Sequence, residues 1–243
     1  MQFNTCLIIL RTRQGSPVKP NRLVSTRTRP TSDRGEATRQ RLLEVAIRVF
    51  GERGFNGART RDIAEAANTN LVSIAYYFGN KLGLYHAAAL WVAARWAAHQ
   101  EPLVQRARTS MARSGVTHRE LIGILCVLLR DFVRLILGDF LPDCYGKFLG
   151  AAASGPAREF SIIDKGLAPL RNVVVEAIAG LTGESAASPT TQVRALAIIG
   201  SCVCFRRDRP AVLRALKWKQ ISAKELEVIE TAVQASIRAM FSH

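Results

Sequence analysis

Apolar residues recur along the chain at helical spacing, and no stretch alternates apolar and polar positions for long enough to predict a strand. From Leu42 to Phe50 the apolar positions follow at i, i+1, i+4, i+7 and i+8, which is one face of an amphipathic helix. Gly54 supplies the residue that ends this helix, and Phe55 follows it where it can pack back on Phe50. The pattern predicts a first helix over residues 34–53 and an all-α chain.

Two short helices are predicted directly after the first. Thr60 is suited to cap the second helix, and the connector that follows it contains Asn68, which tolerates left-handed backbone, and Asn70, which can cap the third helix. The third helix spans Leu71–Phe78, with Ile74 and Phe78 facing inward. Two short helices joined by a tight turn and backed by a longer helix form a helix-turn-helix. The same aromatic and apolar residues are also compatible with ordinary core packing.

The outward residues of the third helix are of types that can contact DNA. A reading helix lies in a major groove about 12 Å wide and must offer hydroxyls or methyl groups to base edges. Ser73 can donate or accept there, and Leu71 and Val72 can touch thymine methyls. Tyr76 and Tyr77 offer hydroxyls to phosphates. Two cations flank this helix and are suited to phosphates or bases, namely Arg61 and Lys81.

The remainder of the chain predicts a helical body. Its helices are expected at residues 84–100, 119–137, 190–206 and 223–241, with a break at Pro102 and a turn over 138–142. Pro169 is placed near the start of a helix that runs toward Leu181. The domain division is therefore a basic arm over 1–32, a DNA-binding head over 33–82 and a ligand-binding and dimerisation body over 83–243.

Two functions are open to such a body. One is dimerisation, because two heads must be held about 34–36 Å apart to read two half-sites. The candidate dimer residues lie in two late helices: Ala195, Leu196, Ile198, Ile199, Val228, Val233 and Ile237. The other function is a pocket for a small molecule. The candidate pocket residues are large aromatic side chains: Trp91, Trp96, Phe132, Phe140 and Phe148. For both sets, simple core packing is the alternative.

The charge balance favours a polyanionic partner. The chain has 34 Lys and Arg against 19 Asp and Glu, for a formal net charge of +15. Residues 1–35 alone contain seven basic residues and one acidic residue, which gives +6. This leader is rich in Pro, Ser, Thr and Arg and cannot bury enough surface to fold alone. It is either a flexible arm that touches DNA phosphates or an extension without function, which includes a start codon assigned too far upstream.

Other classes of protein fit poorly. The five cysteines are odd in number and irregularly spaced, which indicates neither a disulfide framework nor a metal site and favours a reduced, cytoplasmic location. The richest apolar run, residues 121–137, contains three charges and does not predict a membrane span. We expect no cofactor and no enzymatic activity, because no acid–base constellation or phosphate loop is present. The alternative function is a basic helical protein that binds RNA or an acidic membrane without reading sequence.

The head resembles the TetR/AcrR family of transcriptional regulators. The resemblance lies in TRQRLLEVA (38–46), FGERGF (50–55), TRDIAEAA (60–67) and NLVSIAYYFGNK (70–81). It implies that the DNA-binding residues are Thr60, Arg61, Asn70, Leu71, Val72, Ser73, Tyr76, Tyr77 and Lys81. The chain departs from the family at Asn68 and Thr69, where Gly and Val are usual, so that Thr69 adds a hydroxyl that needs a partner. It departs again at Leu82, where an acidic residue is common.

A second resemblance lies downstream. The stretch GSCVCFRRDRPAVLRALKW (200–218) is similar to the C-terminal domain of the CecR-type subgroup, and residues 148–170 fit the same domain more loosely. Together the two resemblances imply a sequence-specific transcriptional regulator. They further imply a homodimer that represses transcription from a palindromic operator on double-stranded DNA and responds to a small-molecule effector.

Overall fold

The computed structural model describes residues 33–138, 142–152 and 155–242, and every regular element within these ranges is a helix. The helices are α1 (Asp33–Gly57), α2 (Thr60–Ala66), α3 (Leu71–Phe78), α4 (Lys81–Met111), α5 (His118–Leu137), α6 (Asp143–Ala152), α7 (Ala157–Thr182), α8 (Pro189–Arg207), α9 (Arg209–Ala215) and α10 (Ala223–Phe241). The predicted all-α class is confirmed for this part of the chain. The predicted arm over residues 1–32 lies outside the described residues.

The first three helices pack into a small head. The regular path of α1 is interrupted at Gly54, whose φ of 67° is the left-handed conformation that side chains disfavour. The interruption brings Phe55 back toward Phe50, with ring centroids 6.2 Å apart, as the sequence predicts. The core between the three helices includes Leu42, Phe50, Ile63 and Ile74, each at most 2% exposed.

The fourth helix leaves the head and continues into the body as one 31-residue helix, so the predicted break at Pro102 is wrong. Proline removes one hydrogen bond from the helix ladder and crowds the preceding turn. Burial on both sides of it outweighs that cost, because Trp96, Val104 and Ala107 all pack into the core. The boundary predicted at residues 82/83 falls in the first turn of this helix.

The seventh helix extends on both sides of Pro169, so the prediction that this proline lies near a helix start is also wrong. The fully buried side chain of Gln100 contacts α7 beside this proline. Its Nε2 donates to the carbonyl of Gly166, and its Oε1 accepts from the backbone N–H of Leu170 at 3.3 Å. Helices α4 and α7 also approach closely, since a Cβ on Gly166 would lie 3.1 Å from atoms of Ala93.

The body has an end near the head and a far end. Helix α5 starts at the far end with a capping box, in which the Thr117 side chain accepts from the N–H of Glu120, and it returns toward the head. At the far end, Nε2 of His118 lies 2.9 Å from the carbonyl oxygen of Phe241 in α10. Helices α5 and α10 are therefore antiparallel, and α10 begins at the end near the head.

The sixth helix lies between the head and α8. On one side it meets α1 at Gly51, where a Cβ would lie 2.9 Å from the backbone nitrogen of Phe148. On the other side it meets α8, where Gly146 packs directly against the guanidinium of Arg206. Within the described residues, no helix combines the length and the apolar character needed to cross a bilayer.

Candidate nucleic-acid interface

The turn between α2 and α3 fixes how α3 is presented. Asn68 has a φ of 50°, as predicted, and its N–H and that of Thr69 donate to carbonyls of α2 at 3.0 Å. Asn70 caps α3, because its side chain accepts from the N–H of Val72 at 2.5 Å. The bounds of α3, Leu71–Phe78, agree with the prediction.

The two faces of α3 differ sharply in exposure. Ile74 is buried against the head, and Phe78 is half-buried beneath the Arg39 guanidinium, 5.6 Å from its ring centroid. On the opposite side Leu71, Val72 and Tyr76 are 51%, 69% and 73% exposed. Large apolar and aromatic side chains left in water on one short helix favour contact with a partner. These three side chains can contact base edges and the sugar-phosphate backbone.

Ser73 is hydrogen-bonded within the turn, and its expected contact with base edges stays a prediction. The residue is half-buried, and its Oγ lies 3.0 Å from Oγ1 of Thr69 across the turn. The hydroxyl that Thr69 adds to the family pattern therefore finds its partner in Ser73. The physical reason is that a hydroxyl on the inner side of a turn must be hydrogen-bonded when it is shielded from water.

The two residues expected to hold phosphates lie beside the exposed face. The Tyr77 ring is half-buried and meets Tyr76 edge-on, with centroids 4.9 Å apart. Lys81 is the first residue of α4, and its Nζ lies 3.5 Å from the carbonyl oxygen of Asn56 and 4.8 Å from the ring centroid of Phe55. The ammonium group thus sits between the end of α1 and the N-terminus of α4, where the helix dipole also attracts anions.

The start of α2 contributes a second group of polar residues. Thr60 is the first helical residue, so its predicted N-cap role is wrong. Arg59 occupies the cap position and makes no side-chain cap hydrogen bond. Arg61 points into solvent and pairs with Glu65 at 3.0 Å, a pair that is weak because both side chains are exposed. The Arg53 guanidinium pairs with Asp62 and ties α1 to α2.

The sequence pattern does not predict three features of this site. Arg39 braces α3 through Phe78, Arg59 stands exposed directly before α2, and the Arg53–Asp62 ion pair fixes α2 on α1. Arg59 could be identified from the sequence, because it is a cation that directly precedes the predicted start of the second helix. Arg39 gave no such signal, because its contact depends on how α3 crosses α1.

The body contains a cavity of about 400 Å³ between α4, α5, α6, α7 and α8. Its wall is mostly apolar and includes charged side chains from α7 and α8. The lining residues are Trp96, Phe132, Ile136, Gly146, Leu149, Gly150, Asp164, Leu167, Leu170, Arg171, Leu196, Ile199, Val203, Arg206 and Arg207. Trp96 and Phe132 meet edge-on at 6.2 Å, and the buried indole N–H of Trp96 has no hydrogen-bond partner among the described residues. A volume of this size lies within the range of ligand pockets, about 300–1,000 Å³.

The other predicted pocket residues lie elsewhere. Trp91 is half-buried and packs on Tyr145, with the Arg95 guanidinium over its ring. Phe148 is fully buried and packs on Tyr85, at the junction of α6 with the head. Neither lines the cavity, because aromatic size alone does not distinguish a core side chain from a lining one. Phe140 lies outside the described residues.

The candidate dimer residues divide into two groups. Ala195, Ile198, Val233 and Ile237 are buried within the single chain, and the physical reason is that they form the inner faces of α8 and α10. Val228 is exposed on the outer face of α10, whereas Leu196 is exposed and Ile199 half-buried, and both also line the cavity. The apolar outer surface of the two helices also includes Val193 and Met240.

Metal ligation finds no support in the geometry. Within the ranges that the structure describes, no three His, Cys, Asp or Glu side chains are grouped so that they could hold a metal ion. Burial raises the pKa of the Cys202 thiol to about 12, which keeps it protonated at neutral pH.

Comparison with known families matches both parts of the chain. The family model described as bacterial regulatory proteins of the tetR family matches residues 42–88. The model of the C-terminal domain of the HTH-type transcriptional dual regulator CecR matches residues 121–242.

Individual relatives agree with these matches. The HTH-type transcriptional dual regulator CecR of Shigella flexneri is 29% identical over 208 residues, which cover 84% of this chain and 91% of the relative. YttP of Bacillus subtilis, named a probable HTH-type transcriptional regulator, is 40% identical over 48 residues, which cover 20% of this chain and 23% of the relative.

Solved structures share the fold at low sequence identity. A TetR-family regulator from Mesorhizobium loti superposes with a TM-score of 0.55 at 16% identity, over 86% of this chain and 98% of the other. AibR, solved in complex with isovaleryl coenzyme A and operator DNA, gives a TM-score of 0.57 at 16% identity, over 84% and 98%. FadR of Bacillus subtilis, solved in complex with stearoyl-CoA, gives 0.52 at 14% identity, over 82% and 96%. The chain therefore belongs to the TetR family, with a CecR-type C-terminal domain, and is a DNA-binding transcriptional regulator rather than an enzyme.

Proposed function

We propose that this protein is a homodimeric repressor that binds a palindromic operator and releases it when a small molecule occupies the body. Residues 33–82 form the DNA-binding head, and residues 83–243 form the ligand-binding and dimerisation domain. The site of action is the chromosome, in the cytoplasm. The observation that carries the proposal is the two-sided character of α3, which is anchored by Ile74 and Asn70 and leaves Leu71, Val72 and Tyr76 in solvent.

The outer surface of α8 and α10 supports a dimer. Val193 and Val228 are large apolar side chains left exposed on neighbouring helices. A two-fold interface would bury these residues against their own copies, since symmetric dimers use the same patch on both subunits. Such an interface would also place the two α3 helices on the same side of the dimer, as two half-sites require.

The cavity supports an effector. Two proteins that share the fold were solved with acyl-CoA molecules, and one of these was solved with operator DNA as well. In this chain, α6 contributes Gly146, Leu149 and Gly150 to the cavity and packs on α1 of the head through Gly51. A ligand that favoured another position of α6 would therefore bias the head, by an amount set by its differential affinity for the two positions.

Binding to selected DNA tests the proposal directly. Duplexes selected from a random library, together with the DNA beside the protein's own gene, would be titrated with the dimer by fluorescence anisotropy. We expect saturable binding to a palindrome that is at least about 10³-fold tighter than binding to a scrambled duplex. Binding that did not distinguish the two duplexes, or equal affinity for RNA and anionic vesicles, would refute the proposal in favour of the non-specific alternative.

Paired substitutions separate base contact from phosphate contact. Val72→Ala should change the preference among related operators, because it removes a methyl contact to bases, and the exposed Leu90→Ala on α4 is its matched control. Lys81→Gln should weaken all duplexes about equally and lower the slope of log affinity against log salt by about 1.8, because each of the two protomers loses one phosphate contact of about 0.9. If both head variants behaved alike, the assignment of α3 to the major groove would be wrong.

A further inference from the structure

The segment between α8 and α10 lies at the end of the body near the head. The preceding residue Arg206 donates from its guanidinium to the carbonyls of Ile136 and Pro142, at the end of α5 and just before α6. Helix α6 packs on α1, and α10 begins where this segment ends. Residues 207–219, called here the basic connector, therefore run across the same end of the body that carries the reading head.

The basic connector has an unbalanced charge. It contains five Lys and Arg residues and one acidic residue, Asp208, which pairs with Arg207 at 2.9 Å. The other four cations have no acidic side-chain partner within the part of the chain that the structure describes: Arg209, Arg214, Lys217 and Lys219. Arg209 is close enough to Arg206 for their repulsion to contribute to the lowered pKa of Arg206, whose main cause is burial. Like charges gathered in this way favour a polyanion.

The connector is held in place although it is little covered. Every side chain of α9 is exposed or half-buried, and Leu216 is also exposed. The half-buried Trp218 anchors the segment on the core, and its backbone N–H donates to the carbonyl of Leu213 at 2.9 Å. Lys217 lies between them with a φ of 55°, at the position after a helix that usually holds glycine. A lysine there is conformationally disfavoured and places its charge at the negative end of α9.

We propose that the basic connector is a second DNA-binding surface, which contacts operator phosphates between the two half-sites. The proposal rests on the dimeric operator binding proposed above. In a dimer joined through α8 and α10, the segment linking these helices lies close to the two-fold axis on the side of the heads. The duplex between two reading helices passes this place, and its backbone carries charge without regard to sequence. The connector thereby adds affinity while α3 supplies specificity.

Charge neutralisation at matched positions tests the proposal. The connector variant combines Arg209→Gln, Arg214→Gln, Lys217→Asn and Lys219→Gln, with Asn chosen because it tolerates the left-handed backbone at 217. The control variant removes the same charge from exposed arginines nearer the far end of the body, with Arg108→Gln, Arg113→Gln, Arg119→Gln and Arg238→Gln. Operator affinity of each full-length dimer is measured from about 50 to 200 mM salt, the range over which phosphate contacts dominate.

The expected result is specific to the connector. Each lost phosphate contact lowers the slope of log affinity against log salt by about 0.9, so the connector variant should lose about two or more slope units per dimer. Its affinity at low salt should fall at least about tenfold, and its ratio of operator to scrambled-duplex affinity should not fall. The control variant should retain the wild-type slope. Thermal unfolding would establish that both variants are folded.

Three results overturn the proposal. Equal slopes for the two variants would mean that only net charge matters. Dissociation of the connector variant to monomers in light scattering would mean that a second copy covers the connector. If the connector variant kept its operator affinity but lost binding to vesicles of anionic phospholipid, the surface would be assigned to a membrane. A wild-type protein that bound no duplex selectively would instead refute the proposed function, and this result is seen before any variant is made.

Discussion

Replacement of Gln100 by Ala would test how two long helices remain joined across a proline. The side-chain amide is fully buried and serves the carbonyl of Gly166 and the N–H of Leu170, which flank Pro169 in the chain. Ala removes both hydrogen bonds between the two helices, each of which contributes about 0.5–1.5 kcal/mol net. The void left by the side chain adds to this cost. We expect a loss of about 4 kcal/mol in the free energy of unfolding, or about 8–16 °C in Tm for a chain of this size.

Urea unfolding followed by circular dichroism measures this loss, with the midpoint lowered and the m value unchanged. Gln100→Met separates the two contributions, because it keeps most of the side-chain volume and removes both hydrogen bonds. Gln105→Ala is the matched control, since Gln105 lies on the exposed side of α4 and its side chain bonds Glu101 at 2.6 Å. Its cost should be within about 0.5 kcal/mol. If Gln100→Ala cost no more than this control, the bridge across Pro169 would not stabilise the fold.

Gly51→Ala should cost about 1–3 kcal/mol in urea unfolding, because its Cβ would lie 2.9 Å from the backbone of α6. Gly57→Ala, with only an ordinary 3.5 Å contact, should not, and equal losses would contradict the close packing. Hydrogen bonds from the Thr and Ser caps lower the pKa of Glu120 and Glu225 below 4.5, so their stabilisation is present above that pH and lost as pH falls through the lowered pKa. Replacing both by Gln should make Tm fall less steeply as the pH is lowered below about 4.5. An unchanged dependence of Tm on pH in this range would refute this explanation. The Cys202 thiol, with its pKa raised to about 12, should react with iodoacetamide at pH 8 only after unfolding, as peptide mass spectrometry would show.

The head could be predicted from the sequence almost completely. Its signals are local: Asn70 caps α3, Ile74 and Phe78 mark the inner face, and Gly79, with a φ of 78°, ends the helix. Each signal acts within a few residues, which is the range over which sequence patterns are informative. The position of Thr60 was missed by a single residue, within the usual ambiguity of helix ends.

The two prolines in the body could not be predicted in the same way. Pro102 and Pro169 are local signals to break a helix, and the structure keeps both helices. Beside Pro169 the helix is joined to α4 through Gln100, which lies 66 residues from Gly166 in the chain. A contact between residues so far apart in the chain does not appear as a periodic pattern in the sequence. Tertiary packing therefore keeps the helix intact where the local rule for proline predicts a break.

The DNA contacts expected of the site stay predictions, and the structure shows where its side chains lie. Leu71, Val72 and Tyr76 are exposed together, as the pattern indicates, whereas Ser73 bonds Thr69 within the turn. The two hydroxyls lie four residues apart, so the unusual residue at 69 was itself a signal for this pair. Of the aromatic residues proposed for a pocket, two line the cavity and two are packed against other aromatic rings of the core.

The unbroken start of α4 has a mechanical consequence. From Lys81 to Glu101 the helix forms a rod about 30 Å long, one end of which adjoins α3 and the other the Gln100 bridge. A tilt of only about 7° about the bridged end would carry the other end through roughly 4 Å, which exceeds the rise of about 3.4 Å per base pair along the axis of the duplex. A small tilt of α4 within the body is thus enough to misalign α3 with the bases that it contacts.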